Sequence, residues 1–442
     1  MISKASVWQY TRIAIATCVL LSTLGCYYVV KPVVIHNQQA KKIFSPPKPD
    51  HAVTGWAWTN SVGEGTNAIT VLHFEGVSNY YSFGYHHGQI FATQIRDNID
   101  MAYGVAKSLM NRKKGLRSLP GGAKEAIINV VLDKAWEMME PYVYQCEKDE
   151  MEGIVAGMRA SGVKITLTEV HRLIAAPDLT ETTCSAFIAT GSATKDGHTY
   201  QLRVLDFGGG TGLEKYPLIT VYPPTRPGEN GFVNVGWIGF IGLVSGMNEK
   251  KVALSEMGMG TQPGETLCGE PMILLLKRVL RNADSAEAAA SIIRSAQRNN
   301  WYTYGIGDGK GGALGLLTSA RFCKVFPVNT DPEIQYGKLT LPQYKDIMYA
   351  GYDSKKLCDL AGEMKGEFDL ERIQRIARIV RLPSCLHVVI YQNDTGDMWI
   401  ANRHGTIPAA DCEYVKFPFS MWGLNKNENG NLRVESSPLK GQ

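Results

Sequence analysis

Residues 183–207 read TCSAFIATGSATKDGHTYQLRVLDF. Apolar and polar positions alternate on either side of Lys195-Asp196-Gly197, the pattern of a β-hairpin closed by an Asp-Gly turn. Such a pairing brings three chemically capable residues to one end: Cys184 opens the first strand, and Arg203 and Asp206 close the second. A cysteine in an apolar strand is commonly an inert core thiol. A neighbouring cation lowers a thiol's pKa and raises its thiolate fraction. Charges inside an apolar run such as LRVLDF also need partners. Strand residues three apart face opposite sides, so Arg203 and Asp206 share a site only where the strand ends or bulges between them.

Outward from the hairpin the period of the sequence changes. Upstream, AITVLHF (Ala68–Phe74) reads as a strand, and residues 80–159 repeat their apolar positions every three or four residues, as half-buried helices do. Downstream, LITVYPP, FVNVGWIGFIGLVSG and KVALSEM extend the strand-rich run. Two helical pieces follow within Met272–Asn299, the second capped by Ser285. WYTYGIGD, ALGLLTS and CKVFPV return to strands, Leu370–Val380 is helical, and LHVVIYQ and MWIAN form a last hairpin across Asn393–Gly396. Blocks of helices and blocks of strands, rather than alternating βαβ units, predict a layered α+β fold.

The 442 residues carry 46 Lys+Arg against 42 Asp+Glu, a formal charge of +4, without the basic stripe of a nucleic-acid binder. The amino terminus reads as a targeting segment, residues 1–31. Lys4 and Arg12 precede the uncharged stretch Ile13–Val30, which is just long enough to cross a bilayer as a helix. An uncleaved signal anchor (a transmembrane helix), a cleaved signal peptide and a lipoprotein modified at Cys26 are the three readings, and all place the remaining chain outside the cytosol. Residues 32–66, with Pro46-Pro47 and Pro49, read as a tether. Of nine cysteines, seven lie beyond the targeting segment. If Cys184 is free, Cys146, Cys268, Cys323, Cys358, Cys385 and Cys412 allow up to three disulfides in an oxidising compartment.

The 183–207 string resembles the segment around the nucleophile of N-terminal-nucleophile (Ntn) hydrolases, in particular the acyl-coenzyme A:6-aminopenicillanic-acid acyltransferase type, related to choloylglycine hydrolases and acid ceramidases. GYHHG, EMEGIVAGMRASG, SGMNEKKVALSE and LHVVIYQNDTGDMWIANRHG extend the resemblance over residues 68–405. It implies a four-layer αββα sandwich with an N-terminal helical segment, and a precursor cut between Thr183 and Cys184. Residues 67–183 and 184–442 would then be the α and β chains. It further implies an amidohydrolase or acyltransferase working on a linear, non-peptide amide through a Cys184 thioester, without a cofactor. Asp206 matches the carboxylate that orients the new terminal amine, and Arg203 its partner near the thiol. Asn248 and Asn329 match the asparagines that hold the oxyanion. The family usually has glycine where this chain has Lys251.

Two other readings stand beside it: a phospholipase-B-like lipid hydrolase of the same superfamily and, from another class, an exported binding protein with this fold and no turnover. Several motifs point to no chemistry. His86-His87 are adjacent on a helix and diverge, so they make no metal pair. Gly307–Gly312 fits G-x-G-x-x-G but precedes a strand, so it cradles no phosphate.

Overall fold

The computed structural model describes residues 52–424, apart from 112–114, 181–182, 209, 261, 332, 337–338 and 352–353. Two sheets stacked face to face form its centre. The larger has nine strands in the order β1-β2-β5-β6-β7-β8-β9-β10-β11. These are β1 (Trp56–Val62), β2 (Ile69–Glu75), β5 (Pro217–Tyr222), β6 (Phe232–Trp237), β7 (Ser245–Asn248), β8 (Ala253–Gly258), β9 (Tyr302–Gly307), β10 (Ala313–Thr318) and β11 (Cys323–Pro327). Only the β2–β5 pair is parallel. The smaller sheet, ordered β14-β3-β4-β15-β16-β17, is antiparallel throughout. It comprises β3 (Thr183–Ala189), β4 (Tyr200–Asp206), β14 (Ile347–Gly351), β15 (His387–Gln392), β16 (Asp397–Asn402) and β17 (Val415–Phe417). A separate hairpin pairs β12 (Glu333–Tyr336) with β13 (Leu339–Pro342).

The buried faces interlock. Ala186 and Ile188 of β3 stand against Gly305 of β9, and the Gln201 amide of β4 donates to the Ser255 hydroxyl and the Gly305 carbonyl across the layers. Helices cover both outer faces. Five come first: α1 (Tyr80–Ile90), α2 (Ala92–Asn111), α3 (Gly121–Met139), α4 (Gln145–Ala160) and α5 (Leu167–Leu179). Then α6 (Met272–Asn282) and α7 (Ala286–Ser295) pack on the nine-stranded sheet, and α8 (Ser354–Glu363) and α9 (Leu370–Val380) on the six-stranded one. The expected α+β, four-layer αββα sandwich with an N-terminal helical segment is therefore what forms. Ser285 accepts from the Ala288 N–H as the predicted cap of α7.

The motifs upstream of the hairpin have a packing reason. Gly84 and Gly88 of α1 face Gly153 and Gly157 of α4, and a Cβ at any of the four would lie 1.9–2.3 Å from a carbonyl oxygen of the other helix. Only glycine lets these two backbones come so close.

Three expectations are corrected. The expected membrane helix has no counterpart: among the described residues no helix is long and apolar enough to cross a membrane, and residues 1–31 lie outside them. The tether read over 32–66 is too long, because Trp56–Val62 forms β1 and pairs along its whole length with β2. Its Trp and Val side chains suit a half-buried edge strand, a pattern masked by the flanking polar residues. Finally, none of the seven cysteines beyond the targeting segment forms a disulfide. They sit on separate elements: Cys146 in α4, Cys323 at the edge strand β11, Cys358 in α8 and Cys385 ahead of β15. A disulfide requires Cα atoms within about 7 Å of each other.

Candidate active site

The hairpin register sets the site. Cys184 pairs with Leu205, Ala186 with Arg203 and Thr183 with Asp206. Paired residues share a face, so Cys184 and Arg203 both point between the sheets, with Gln201. Cys184 is fully buried, and so is Arg203. The guanidinium stands by the Cys184 thiol, and it donates to the Val204 carbonyl at 2.6 Å and to Glu256 of β8 at 3.3 Å. Burial works against the Arg203 charge, and the thiol and Glu256 outweigh it. Gly351 of β14, opposite Ser185, presses on this point: a side chain there would lie 2.5 Å from the Cys184 carbonyl oxygen.

Asp206 ends β4 on the opposite face. Its Oδ1 accepts from the Leu382 N–H at 2.9 Å, just beyond α9, and Oδ2 lies by the Cys385 thiol outside ordinary hydrogen-bond geometry. Burial pushes its carboxyl up to about 6, opposed by the Leu382 N–H and by Arg203. The strand stays regular, so Asp206 does not join Arg203 side by side. It stands instead across from Thr183, the residue before the cysteine.

Two acids that the sequence reading did not single out complete the cluster. Burial pushes Glu256 up to about 7, with Arg203 opposing and Asp178 adding to the rise. Asp178, near the end of α5, is raised to about 6 by burial, although it accepts from the Asn299 amide at 3.0 Å and from the Met272 N–H at 3.1 Å. Glu256 was visible as a lone acid inside KVALSEM; Asp178 sits in a helical stretch where nothing marks it as buried.

The two asparagines are placed elsewhere. The Asn248 amide donates to the carbonyls of Leu280 and Ala283 at 2.8 and 2.7 Å, and its oxygen accepts from the N–H groups of Lys250 and Val252. It fastens the β7–β8 turn to α6 and has no capacity left for an oxyanion. That turn keeps the geometry a glycine would give, for Lys251 adopts φ +65°, its ammonium anchored on the Asp394 carbonyl. Asn329 exchanges hydrogen bonds with Asp346 at 2.7 and 2.8 Å. Asp346 precedes Ile347, which pairs with Ala189 at the far end of β3. At ~3.3 Å per strand residue this is roughly 16 Å from Cys184.

Above the Cys184 end of the hairpin lies a cavity of about 220 Å³. Its lining is apolar, from α2, α5 and residues 237–244, and it reaches Leu205, Leu386 and Glu256 at the hairpin. Thr180, four residues before Cys184, forms part of its wall. Among the described residues no cluster of His, Cys, Asp and Glu has the makings of a metal site.

No protein-family model matches the chain. Among curated proteins, it is 26% identical to dcd1B of Dictyostelium discoideum over 308 residues, 67% of this chain and 60% of that protein. It is 23% identical to dcd1A of the same organism over 361 residues, 77% of this chain and 80% of that protein. The chain thus spans about three fifths of the length of dcd1B. Among solved structures, an N-acylethanolamine-hydrolyzing acid amidase ortholog from Caenorhabditis elegans superposes with a TM-score of 0.37 and 12% identity, over 48% of this chain and 93% of that one. Penicillin V acylase from Agrobacterium tumefaciens gives 0.36 and 12%, over 54% and 86%. A conjugated bile acid hydrolase from Clostridium perfringens gives 0.36 and 13%, over 56% and 94%. At these scores the likeness says nothing of what this chain does.

Proposed function

We propose that this chain is the precursor of a cysteine Ntn amidohydrolase or acyltransferase. It cuts itself between Thr183 and Cys184, then acts on a linear, non-peptide amide through a Cys184 thioester. The observation that carries the reading is the placement of Arg203 by the buried Cys184 thiol, with Glu256, the ion-pair partner of Arg203, at the wall of an apolar cavity; the sequence resemblance over 68–405 supports it. In the first step the thiol sulfur adds to the Thr183 carbonyl carbon and the Thr183–Cys184 C–N bond breaks. The departing nitrogen takes the thiol proton and becomes an α-amine. Water then hydrolyses the Thr183 thioester, releasing the Thr183 carboxylate and restoring the thiol.

The cut creates the base that the second reaction needs. An α-amine has a pKa of ~7.7–8.0, so near neutral pH it takes the thiol proton as sulfur adds to the substrate amide, and hands it to the leaving amine. Water, or a second amine, then takes the acyl group from the thioester. Arg203 holds the thiol, Glu256 holds Arg203, and Asp206, across from Thr183, orients the new ammonium.

A thiol-reactive acyl analogue, applied to the folded protein near neutral pH and mapped by peptide mass, tests the nucleophile. Modification of Cys184 ahead of the other cysteines is expected. An unreactive Cys184 in processed, folded protein would overturn the assignment and favour a binding protein without turnover.

A further inference from the structure

The cavity has more specificity built into it than hydrolysis of an amide requires. Its walls at Ala102, Val105, Leu109, Leu173 and Ile174 are aliphatic, and among the described lining residues the one ionisable carboxyl, Glu256, lies at the Arg203 end. No Lys or Arg is among the described lining residues. Yet besides Thr180, Glu256 and Tyr302, two buried polar atoms interrupt this lining. The Asn98 amide of α2 donates to the Ile238 carbonyl at 2.7 Å, which fixes its Oδ1 in the buried wall with no hydrogen-bond partner among the described residues. Trp237, the neighbour of Ile238, presents a buried Nε1–H that is likewise without one. Buried donors and acceptors are almost always paired, because leaving them unpaired is costly. An acceptor and a donor in the lining of one apolar cavity suit a hydroxyl, which both donates and accepts.

We propose that this cavity binds the acyl half of the substrate, that it suits an unbranched acyl group of medium length, and that Asn98 and Trp237 read a hydroxyl on that group. The proposal rests on the Cys184 reading above for its catalytic meaning, but not for its binding. A dry cavity of ~150 Å³ accommodates benzene, six carbons. At that ratio about 220 Å³ holds roughly eight or nine carbons, and a chain twice as long must leave the cavity. The lining comes from both sides of Thr183–Cys184, with α2 and α5 upstream and residues 237–244 downstream, so acyl recognition belongs jointly to the two expected chains.

The test uses the full chain carrying Cys184→Ala, which cannot turn over, and isothermal calorimetry with neutral primary amides. Octanamide is expected to bind at least about ten-fold more tightly than butanamide, and hexadecanamide no better than octanamide. Of a set of hydroxyoctanamides with the hydroxyl moved along the chain, one or more should bind about five-fold tighter than octanamide. Asn98→Leu, and independently Trp237→Phe, should erase that gain, read within each variant as the ratio of hydroxyoctanamide to octanamide affinity. Absence of octanamide binding, or affinity that climbs on to hexadecanamide, overturns the medium-length pocket. A hydroxyl that weakens binding at every position, or a gain that survives both variants, overturns the role of Asn98 and Trp237. Because no turnover is involved, failure here leaves self-cleavage standing, and failure of self-cleavage leaves this binding measurable.

Discussion

Two clusters of buried charge sit in this molecule, and they are built differently. The first joins α4 to α6: Lys277 is bridged to Glu150 and, at 3.4 Å, to Glu147, Arg281 reaches Glu147 at 2.8 Å, and the Tyr222 hydroxyl donates to Glu150 at 2.9 Å. Two acids face two bases, and none of the four lines the apolar cavity by the hairpin. The second cluster has one cation, Arg203, among a thiol and the carboxyls of Glu256 and Asp178, and it borders the apolar cavity. Burial raises both of its carboxyls, Glu256 although it is bridged to Arg203 and Asp178 although it accepts two hydrogen bonds. A balanced buried network serves packing; an unbalanced one beside a cavity keeps groups available for proton transfer and for a ligand.

The sharpest way to break this contrast is to remove one charge from each cluster. Lys277→Met leaves two buried carboxylates with Arg281 alone, and should cost about 3–5 kcal/mol in urea denaturation. Because α4 and α6 lie on opposite sides of Thr183–Cys184, this variant should also loosen the association of the two fragments after cleavage, seen by size-exclusion chromatography. The cleavage rate of folded Lys277→Met protein should stay within about two-fold of the parent. Arg203→Gln should do the reverse: roughly a 100-fold slower cleavage, about 2.7 kcal/mol in barrier. Equal effects of the two variants on cleavage would erase the distinction between the clusters.

A smaller effect is in pH. Asp178, Asp206 and Glu256 have pKa values raised to about 6, 6 and 7, so each holds its proton more tightly folded than unfolded. Their protonation favours the folded chain. Their contribution to stability therefore grows as pH falls from 7.5 through these values, and levels off below the unfolded carboxylate range. One pKa unit corresponds to about 1.4 kcal/mol. Buried His73, His87, His171 and His387 are held below the ordinary imidazole range and act in the opposite sense, so the acids are read as a difference. The melting temperature of the uncut Cys184→Ala chain minus that of the same chain with Glu256→Gln should grow by about a degree or two between pH 7.5 and 5.5. A difference that stays constant or shrinks over this window would contradict the raised carboxyl of Glu256. The smallest effect is expected at Asn329: exchanged for Ala, it should leave cleavage within about two-fold, since its amide is bound to Asp346 at the other end of β3.

The layered fold was legible because its elements announce themselves locally. Alternation marks the 183–207 hairpin, helical spacing marks α9, and Ser285 marks the start of α7. The edge strand β1 was lost because its neighbours are polar and proline-rich, so composition overrode a short alternating run. The site was legible in part. Cys184 and Arg203 are brought together as the hairpin pattern implied, because register follows from alternation. Asp206 falls on the opposite face by the same parity. Asn248 and Asn329 were matched by motif alone, and motif position does not report which backbone groups a side chain satisfies. Glu256 reaches Arg203 from another sheet, and Asp178 acts on Glu256 from α5, interactions between residues 53 and 78 positions apart in sequence that no local pattern encodes.

The central claim is that Cys184 becomes a chain terminus. Intact-mass spectrometry with N-terminal sequencing of the purified full-length protein tests it in one measurement. The account predicts a fragment of 259 residues that begins Cys184-Ser185-Ala186 and ends at Gln442, and a single uncut chain when Cys184 is replaced by Ala. A parent protein that remains one chain while hydrolysing amides, or a Cys184→Ala protein cut at the same bond, would contradict it.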